Sequence, residues 1–493
     1  MISSNPGILI SFAAYLLVMI AIGWYFYRRT KNVNDYFLGN RGLNKWVTSL
    51  SAQASDMSGW LLLGLPGYAY LAGMESFWLA LGLITGTWLN WKLVARRLRI
   101  YTEVAGNAIT LPEYFANRFD RKGHTLRMLA AVFILIFFLI YTASGFVAGA
   151  KLFNTVFGLS YQWALTTGVL VIIIYTFLGG FMAVSWTDFL QGIIMFLAII
   201  SVPVLAIMFL EGPGATLGSL QAQHPELLSI YTNTKGEPIS TITILSSLAW
   251  GLGYFGQPHI LARFMAIKSP HMLKGARRIA VTWSGISLAC AILIGLFGNL
   301  VVQEPLTETS SETIFMYSVD VLVPPLLAGV VLSAILAAIM STADSQLLVS
   351  SSAFSEDFYK SVLNPKASPR KLVIISRLTV VGVALVAFLI ALDPQSSVLD
   401  LVSYAWGGFG ATFGPLVLLS LFWKRMTYRG AIGGILAGGL TVIIWKPIQG
   451  GIFDLYEILP GFIISVFTIV IVSLFDQKPS EEVIGKFAEA HKT

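Results

Sequence analysis

Apolar runs of about 20 residues, separated by short polar or basic segments, follow one another along almost the entire chain. A run of that length crosses a bilayer as a helix, which satisfies its own backbone hydrogen bonds where no water can. The pattern predicts an all-α polytopic membrane protein of about thirteen transmembrane helices. They fall at roughly 5–26, 45–70, 75–98, 124–155, 160–180, 187–210, 241–265, 274–302, 321–352, 371–392, 397–423, 430–449 and 457–475. Residues 211–240 are polar, contain Gly and Pro, and read as the longest external loop; 303–320 reads as a second external connection. The segment after about 476 is charged and too short for a catalytic or signalling domain.

Two of these helices carry breaks. The second contains Ser49-Leu50-Ser51-Ala52-Gln53-Ala54-Ser55-Asp56-Met57-Ser58-Gly59-Trp60, a run of small residues around one ionisable group. The seventh contains Trp250-Gly251-Leu252-Gly253-Tyr254-Phe255-Gly256-Gln257-Pro258, where three Gly and a Pro in nine residues interrupt a helix. Each broken helix begins a block of five. Five is odd, so the second block starts from the opposite side and is inverted. Paired interrupted helices at equivalent places point to an inverted-repeat transporter with its site at the midplane. The expected organisation is a first helix and loop over 1–44, a repeat over 45–210 and the loop 211–240. An inverted repeat over 241–423, two peripheral helices over 424–475 and a tail over 476–493 complete it. The two halves share no evident residue similarity, so the repeat rests on spacing and breaks alone.

Composition sharpens this. With 56% hydrophobic and 12% charged residues among 493, the chain is not a soluble domain. Its net charge of +7 would suit nucleic acid in a soluble protein, but the basic residues lie in short loops. With the N-terminus outside, 29 of the 32 Lys and Arg fall in cytoplasmic segments, and the C-terminus is cytoplasmic. The first apolar run is followed by Tyr27-Arg28-Arg29 and lacks a cleavage site, so it reads as a retained span. The single Cys, Cys290, excludes an internal disulfide, and the five His are scattered without metal-ligand spacing. No nucleophile–base pair is visible, which argues against an enzyme.

The candidate chemistry is concentrated in the breaks. An Asp at a helix centre costs about 2.5–3.5 kcal/mol to insert, so Asp56 marks a functional site unless it only pairs to fix packing. Its charge and the carbonyls freed nearby favour a hard cation such as Na⁺. The ninth helix holds a matching polar cluster, Ser341, Thr342, Asp344 and Ser345. Ala338, Ser341 and Thr342 share one helix face by spacing, although Ser and Thr also bond back to their own helices. Trp250 and Tyr254, four apart, would line one side of the second break with aromatic faces. Asp188 reads as an N-terminal helix cap and Arg41 as a basic anchor. Gly407, Gly408, Gly410, Gly414 and Pro415 make the eleventh helix bendable.

On these residues the chain resembles the solute:sodium symporter family, and its proline carriers in particular. The resemblance covers essentially the whole chain. It is carried by Leu50 to Leu62, by Tyr175-Thr176-Phe177-Leu178-Gly179-Gly180 with Thr187 to Gly192, by Trp250 to His259, and by Ser341 to Leu348. It implies a LeuT-type fold of two inverted five-helix repeats in a bacterial cell membrane, and Na⁺-coupled import of L-proline by alternating access. It further implies Na⁺ ligation by the carbonyls of Ala54, Met57 and Ala338 and the hydroxyls of Ser341 and Thr342. Asp56 would support the ion. Ser58, Gly59, Trp250, Tyr254 and Pro258 would surround proline, with Tyr141 nearby, and Arg41 and Asp188 match positions linked to coupling and gating. The acid Asp344 departs from some proline carriers, which would broaden selectivity toward Li⁺ or H⁺. The alternatives are a sodium-coupled symporter of another small solute, or a substrate-binding membrane sensor of the same fold.

Overall fold

The structure is a computed structural model that describes residues 6–27, 33–119, 124–178 and 180–492. Arg28, Arg29 and Gly179, singled out above, lie outside the described residues. The described chain is helical, with only two isolated β-bridges, Leu43 to Ile267 and Thr232 to Pro238. The main helices are α1 (Pro6–Tyr27), the interrupted set α2 (Lys45–Asp56), α3 (Ser58–Leu62) and α4 (Gly64–Ala72), then α5 (Phe77–Leu89) and α6 (Ala95–Val104). There follow α7 (Thr125–Phe157), α8 (Tyr161–Leu178), α9 (Phe181–Phe209), and the interrupted pair α10 (Thr241–Ala249) and α11 (Pro258–Ala266). The remainder are α12 (Leu273–Val301), α13 (Pro325–Ser352), α14 (Pro369–Ile390), α15 (Val398–Phe422), α16 (Tyr428–Trp445), α17 (Ile458–Phe475) and α18 (Glu481–Lys492).

Among the described residues, nine helices are long and apolar enough to cross a membrane. The other expected spans fall short for physical reasons. Two are broken, α8 offers only a short apolar stretch, and α5 continues through a π-turn at Asn90–Val94 into α6, which carries Arg96, Arg97, Arg99 and Glu103.

Helix α13 is the centre of the bundle. Every residue from 332 to 348 is buried, Ser341, Thr342, Asp344 and Ser345 included. Around it pack α1, α2, α3, α7, α9 and α14. Helix α1 lies close against it, because Gly329 leaves no room for a Cβ beside Ile8 and Ser11. The second break lies against α5 and α15 in backbone-to-backbone contact. A Cβ on Gly86 would come within 2.2 Å of the Gly251 carbonyl oxygen, and one on Gly256 within 2.2 Å of the Phe409 carbonyl oxygen.

Two expectations change, and a third gains detail. Helix α9 begins at Phe181, not near 187, so Asp188 lies two turns inside it and caps nothing. Ser185, Thr187 and Asp188 lower the local hydropathy and mimic a helix start, but all three are buried. The loop over 211–240 contains a helix of its own, Pro213–Gln223. The segment after 476 forms α18, which packs on α6 and sets Phe487 against Tyr101 at 6.2 Å between ring centroids.

The Gly86–Gly251 approach is directly testable. Gly86→Ala forces a Cβ into backbone, which cannot yield as a side chain tip does. A loss of about 1–3 kcal/mol is expected. Detergent-solubilised protein should melt at lower temperature or be recovered in reduced folded yield by size-exclusion chromatography, whereas Gly285→Ala, with open space around it, should match the parent.

Candidate ion and substrate site

A helix that ends inside a membrane strands its last four carbonyls, and something other than lipid must bond them. Helix α2 ends at Asp56, with Met57 at φ −111° and ψ 1°, outside helical geometry. The Ala54 carbonyl accepts from the Ser341 hydroxyl at 2.9 Å and lies 3.4 Å from the Thr342 hydroxyl. Ser341 also reaches the Ala338 carbonyl at 3.2 Å. Two carbonyls and two hydroxyls of the expected cation set therefore converge. Their spacing of 2.9–3.4 Å is that of neighbouring oxygens around a hard cation held at about 2.4 Å. The Met57 carbonyl is engaged by the Leu61 amide at 2.8 Å, as the first acceptor of α3.

The Asp56 carbonyl is held by the Tyr141 hydroxyl at 3.0 Å and by the Trp60 indole nitrogen at 3.4 Å. Its carboxylate is buried beside the Tyr254 hydroxyl, and neither oxygen has a regular hydrogen bond among the described residues. Ser58 is buried and accepts from the Trp60 amide at 3.3 Å. Gly59 has a packing reason of its own: a Cβ there would lie 2.8 Å from that of Ala148 on α7.

Trp250 and Tyr254 do not line one side. Residues 250–256 form a 3₁₀ segment, in which positions four apart are turned by about 120°. Trp250 meets Trp60 at 6.3 Å and Tyr456 at 5.4 Å between centroids, while Tyr254 packs edge-on to Trp406 at 4.9 Å. Nor do Trp250 and Pro258 share a cavity. Trp250 lines an open cavity of about 660 Å³ with Tyr68, Ser247, Asp400 and Tyr456. Pro258 lines a cleft of only about 20 Å³ with Phe181, Ala262 and Met265.

Asp188 is ion-paired. Arg263 on α11 donates from Nη2 to Asp188 Oδ2 at 3.0 Å and to Ser345 Oγ at 2.5 Å, and from Nε to Ser51 Oγ at 3.1 Å. Ser51 donates to Asp188 at 2.7 Å, and Arg263 Nη1 reaches the His259 carbonyl at 2.9 Å. Asp344 lies within electrostatic reach of both Asp188 and Arg263. This buried group ties α2, α9, α11 and α13 together. Arg41 is no free surface anchor. It follows Gly39 and Asn40 in a run of three residues at positive φ and donates to the Met265 carbonyl at 2.6 Å, Thr102 Oγ1 at 3.1 Å and the Ala108 carbonyl at 3.0 Å. Arg99 reaches the adjoining Ile267 carbonyl at 2.7 Å. Two cations thus meet the negative end of α11.

A model of the sodium:solute symporter family matches residues 36–438. The chain belongs to the sodium:solute symporter family. It is 49% identical over 99% of its length to the sodium/proline symporter of Escherichia coli (strain K12), covering 96% of that protein. It is 48% identical to the high-affinity proline transporter PutP of Bacillus subtilis (strain 168), over 96% of this chain and 99% of that one. Its fold matches the structure of a Na⁺-coupled sialic acid symporter with a TM-score of 0.77 at 19% identity, over 96% of this chain and 99% of the other.

Within this symporter family member, sequence reasoning missed Arg263, which by position reads only as the first of the basic residues at 263–278. The signal was available: Asp188 and Arg263 both stand inside apolar stretches, and opposite charges stranded there seek each other. Removing one partner of a buried pair leaves the other uncompensated. Arg263→Ala is therefore expected to destabilise by about 3–5 kcal/mol. Adding Asp188→Asn should restore part of the loss, as a thermal-denaturation series on the single and double variants will show.

Proposed function

We propose that the chain is a Na⁺-coupled importer of L-proline that works by alternating access in the cell membrane of a bacterium. The observation that carries this is the single break at Met57. On one side the Ala54 carbonyl faces the Ala338, Ser341 and Thr342 oxygens; on the other, Ser58 and Gly59 begin the next helical turns. Near full-length identity of 49% to a sodium/proline symporter supports the choice of ion and solute.

Na⁺ binds between α2 and α13 and fixes the broken backbone in the shape that accepts proline. Ala54, Ala338, Ser341, Thr342 and Met57 are its ligands, and Asp56 supplies supporting charge. The amides at Ser58 and Gly59 meet the carboxylate of proline. Trp250, Tyr254, Tyr141 and Pro258 surround the pyrrolidine ring once the bundle closes on it. Arg41, Asp188 and Asp344 couple the site to the gate. Both ligands favour one backbone shape, so each tightens the other.

The reading includes thirteen crossings, with the N-terminus outside and the C-terminus cytoplasmic, and LeuT-type inverted repeats over 45–210 and 241–423. In that frame the 660 Å³ cavity at Trp250 opens outward and the 20 Å³ cleft at Pro258 lies inward, which favours an outward-facing state. Asp344 adds an acid beside the cation site and is the residue through which Li⁺ or H⁺ would compete.

Purified protein in liposomes, with imposed Na⁺, Li⁺ or H⁺ gradients and a panel of amino acids, tests the proposal. An inward Na⁺ gradient should drive proline uptake above that of other solutes; uptake indifferent to Na⁺ overturns it. Ser341→Ala and Thr342→Ala should each raise the half-saturating Na⁺ concentration roughly tenfold, about 1.4 kcal/mol, with little loss of expression.

A further inference from the structure

The second break has a difficulty related to the first: the 3₁₀ segment 250–256 replaces the α-helical ladder inside the bundle by hydrogen bonds of poorer geometry. Three of its carbonyls are each bonded by a side chain. Trp406 Nε1 donates to the Trp250 carbonyl at 2.8 Å, Gln257 Nε2 to the Gly253 carbonyl at 3.2 Å, and Asn90 Nδ2 to the Tyr254 carbonyl at 2.9 Å. Asn90 comes from a different part of the chain, and its placement is built. Gly82, Gly86 and Asn90 are spaced by four and continue one face of α5. The two glycines let that face touch the backbone at Leu248 and Gly251 directly. Asn90 then opens the π-turn Asn90–Val94, a local widening of the kind concentrated at functional sites.

The same face brings further buried polar atoms close to the break. Thr87 Oγ1 and Asn90 Oδ1 are buried without hydrogen-bond partners among the described residues, and so is the Tyr254 hydroxyl. That hydroxyl lies beside Thr87 and the Asp56 carboxylate. One side chain therefore grips the backbone of Tyr254 while its ring carries a hydroxyl toward the other broken helix.

We propose that Asn90 is a positioning residue for solute recognition. By holding the Tyr254 carbonyl it sets the direction in which the Tyr254 ring and hydroxyl face the solute and Asp56. Asn90 does not itself touch the solute. It controls affinity and discrimination through Tyr254, so the two residues are energetically coupled. This rests on the reading of the chain as a proline importer with Tyr254 at the solute.

The test is proline uptake in liposomes by the parent, Asn90→Ala, Asn90→Asp, Tyr254→Phe and the Asn90→Ala/Tyr254→Phe pair, each normalised to folded protein. Asn90→Ala should raise the KM for proline about tenfold, with the maximal rate within about twofold, and should narrow the preference for proline over a ring-opened analogue. In the Tyr254→Phe background the same replacement should raise KM by less than about threefold, because coupled residues are not additive. Asn90→Asp keeps the shape but loses the amide donors, so it should raise KM as Asn90→Ala does, and it carries the test if the smaller Ala side chain impairs folding. A lowered maximal rate with unchanged KM and preference, or an equal rise in both backgrounds, overturns the proposal while leaving proline transport intact. If the parent protein takes up no proline, the functional reading falls and this inference with it.

Discussion

A helix interrupted inside a membrane must find bonding partners for its own backbone, and much of this protein is arranged to meet that demand. At the first break the partners are the hydroxyls of Ser341, Thr342 and Tyr141. At the second they are Trp406, Gln257 and Asn90. The donors come from the π-turn after α5, from α7, α13 and α15, and from the residue that follows the 3₁₀ segment, so each break is fixed largely by the surrounding bundle. That arrangement also provides the chemistry. A carbonyl freed from its helix is held by hydroxyls through exchangeable hydrogen bonds, and under the proposed function a cation of suitable size would take the place of those hydrogens.

Buried charge imposes the second constraint. Arg263 and Asp188 are both fully removed from solvent, and Ser51 and Ser345 complete their bonding. Such a pair contributes little net stability compared with apolar packing, but its loss on one side is costly. Its value is geometric: it joins α11, which follows the second break, to α2, which precedes the first, and to α13, which carries the hydroxyls. Beyond α11, Arg41 and Arg99 hold its terminal carbonyls. A shift of α11 must therefore break several charge-assisted bonds together, which makes its position discrete.

Glycine decides where backbones approach. Gly86 against Gly251, Gly256 against Phe409 and Gly295 against Pro66 are contacts that a methyl group would prevent. In lipid, apolar side chains gain little by leaving one apolar neighbour for another, so close packing and polar bonds supply the association that the hydrophobic effect gives a soluble core.

The order of helices, the two breaks and the polar cluster on α13 were legible in the sequence. Hydropathy and glycine spacing act locally, and a helix in lipid has few alternatives. Spacing also put Ala338, Ser341 and Thr342 on one face, but that Ala54 meets them was implied only by the resemblance to the symporter family and is seen in the tertiary contact. What only the tertiary structure decided was the partner of each buried polar group. Asp188 lay in a hydropathy dip that imitates a helix start, and Arg263 at the edge of a basic segment. Neither pattern shows that 75 residues of chain bring them to 3.0 Å. Trp250 and Tyr254 were given one face on the assumption of α-helical spacing, and the 3₁₀ winding turned them apart. Asn90 carried no local signal at all. Its contact depends on Gly82 and Gly86 meeting a backbone more than 150 residues away, and long-range approach of that kind is set by packing, which no single stretch of sequence specifies.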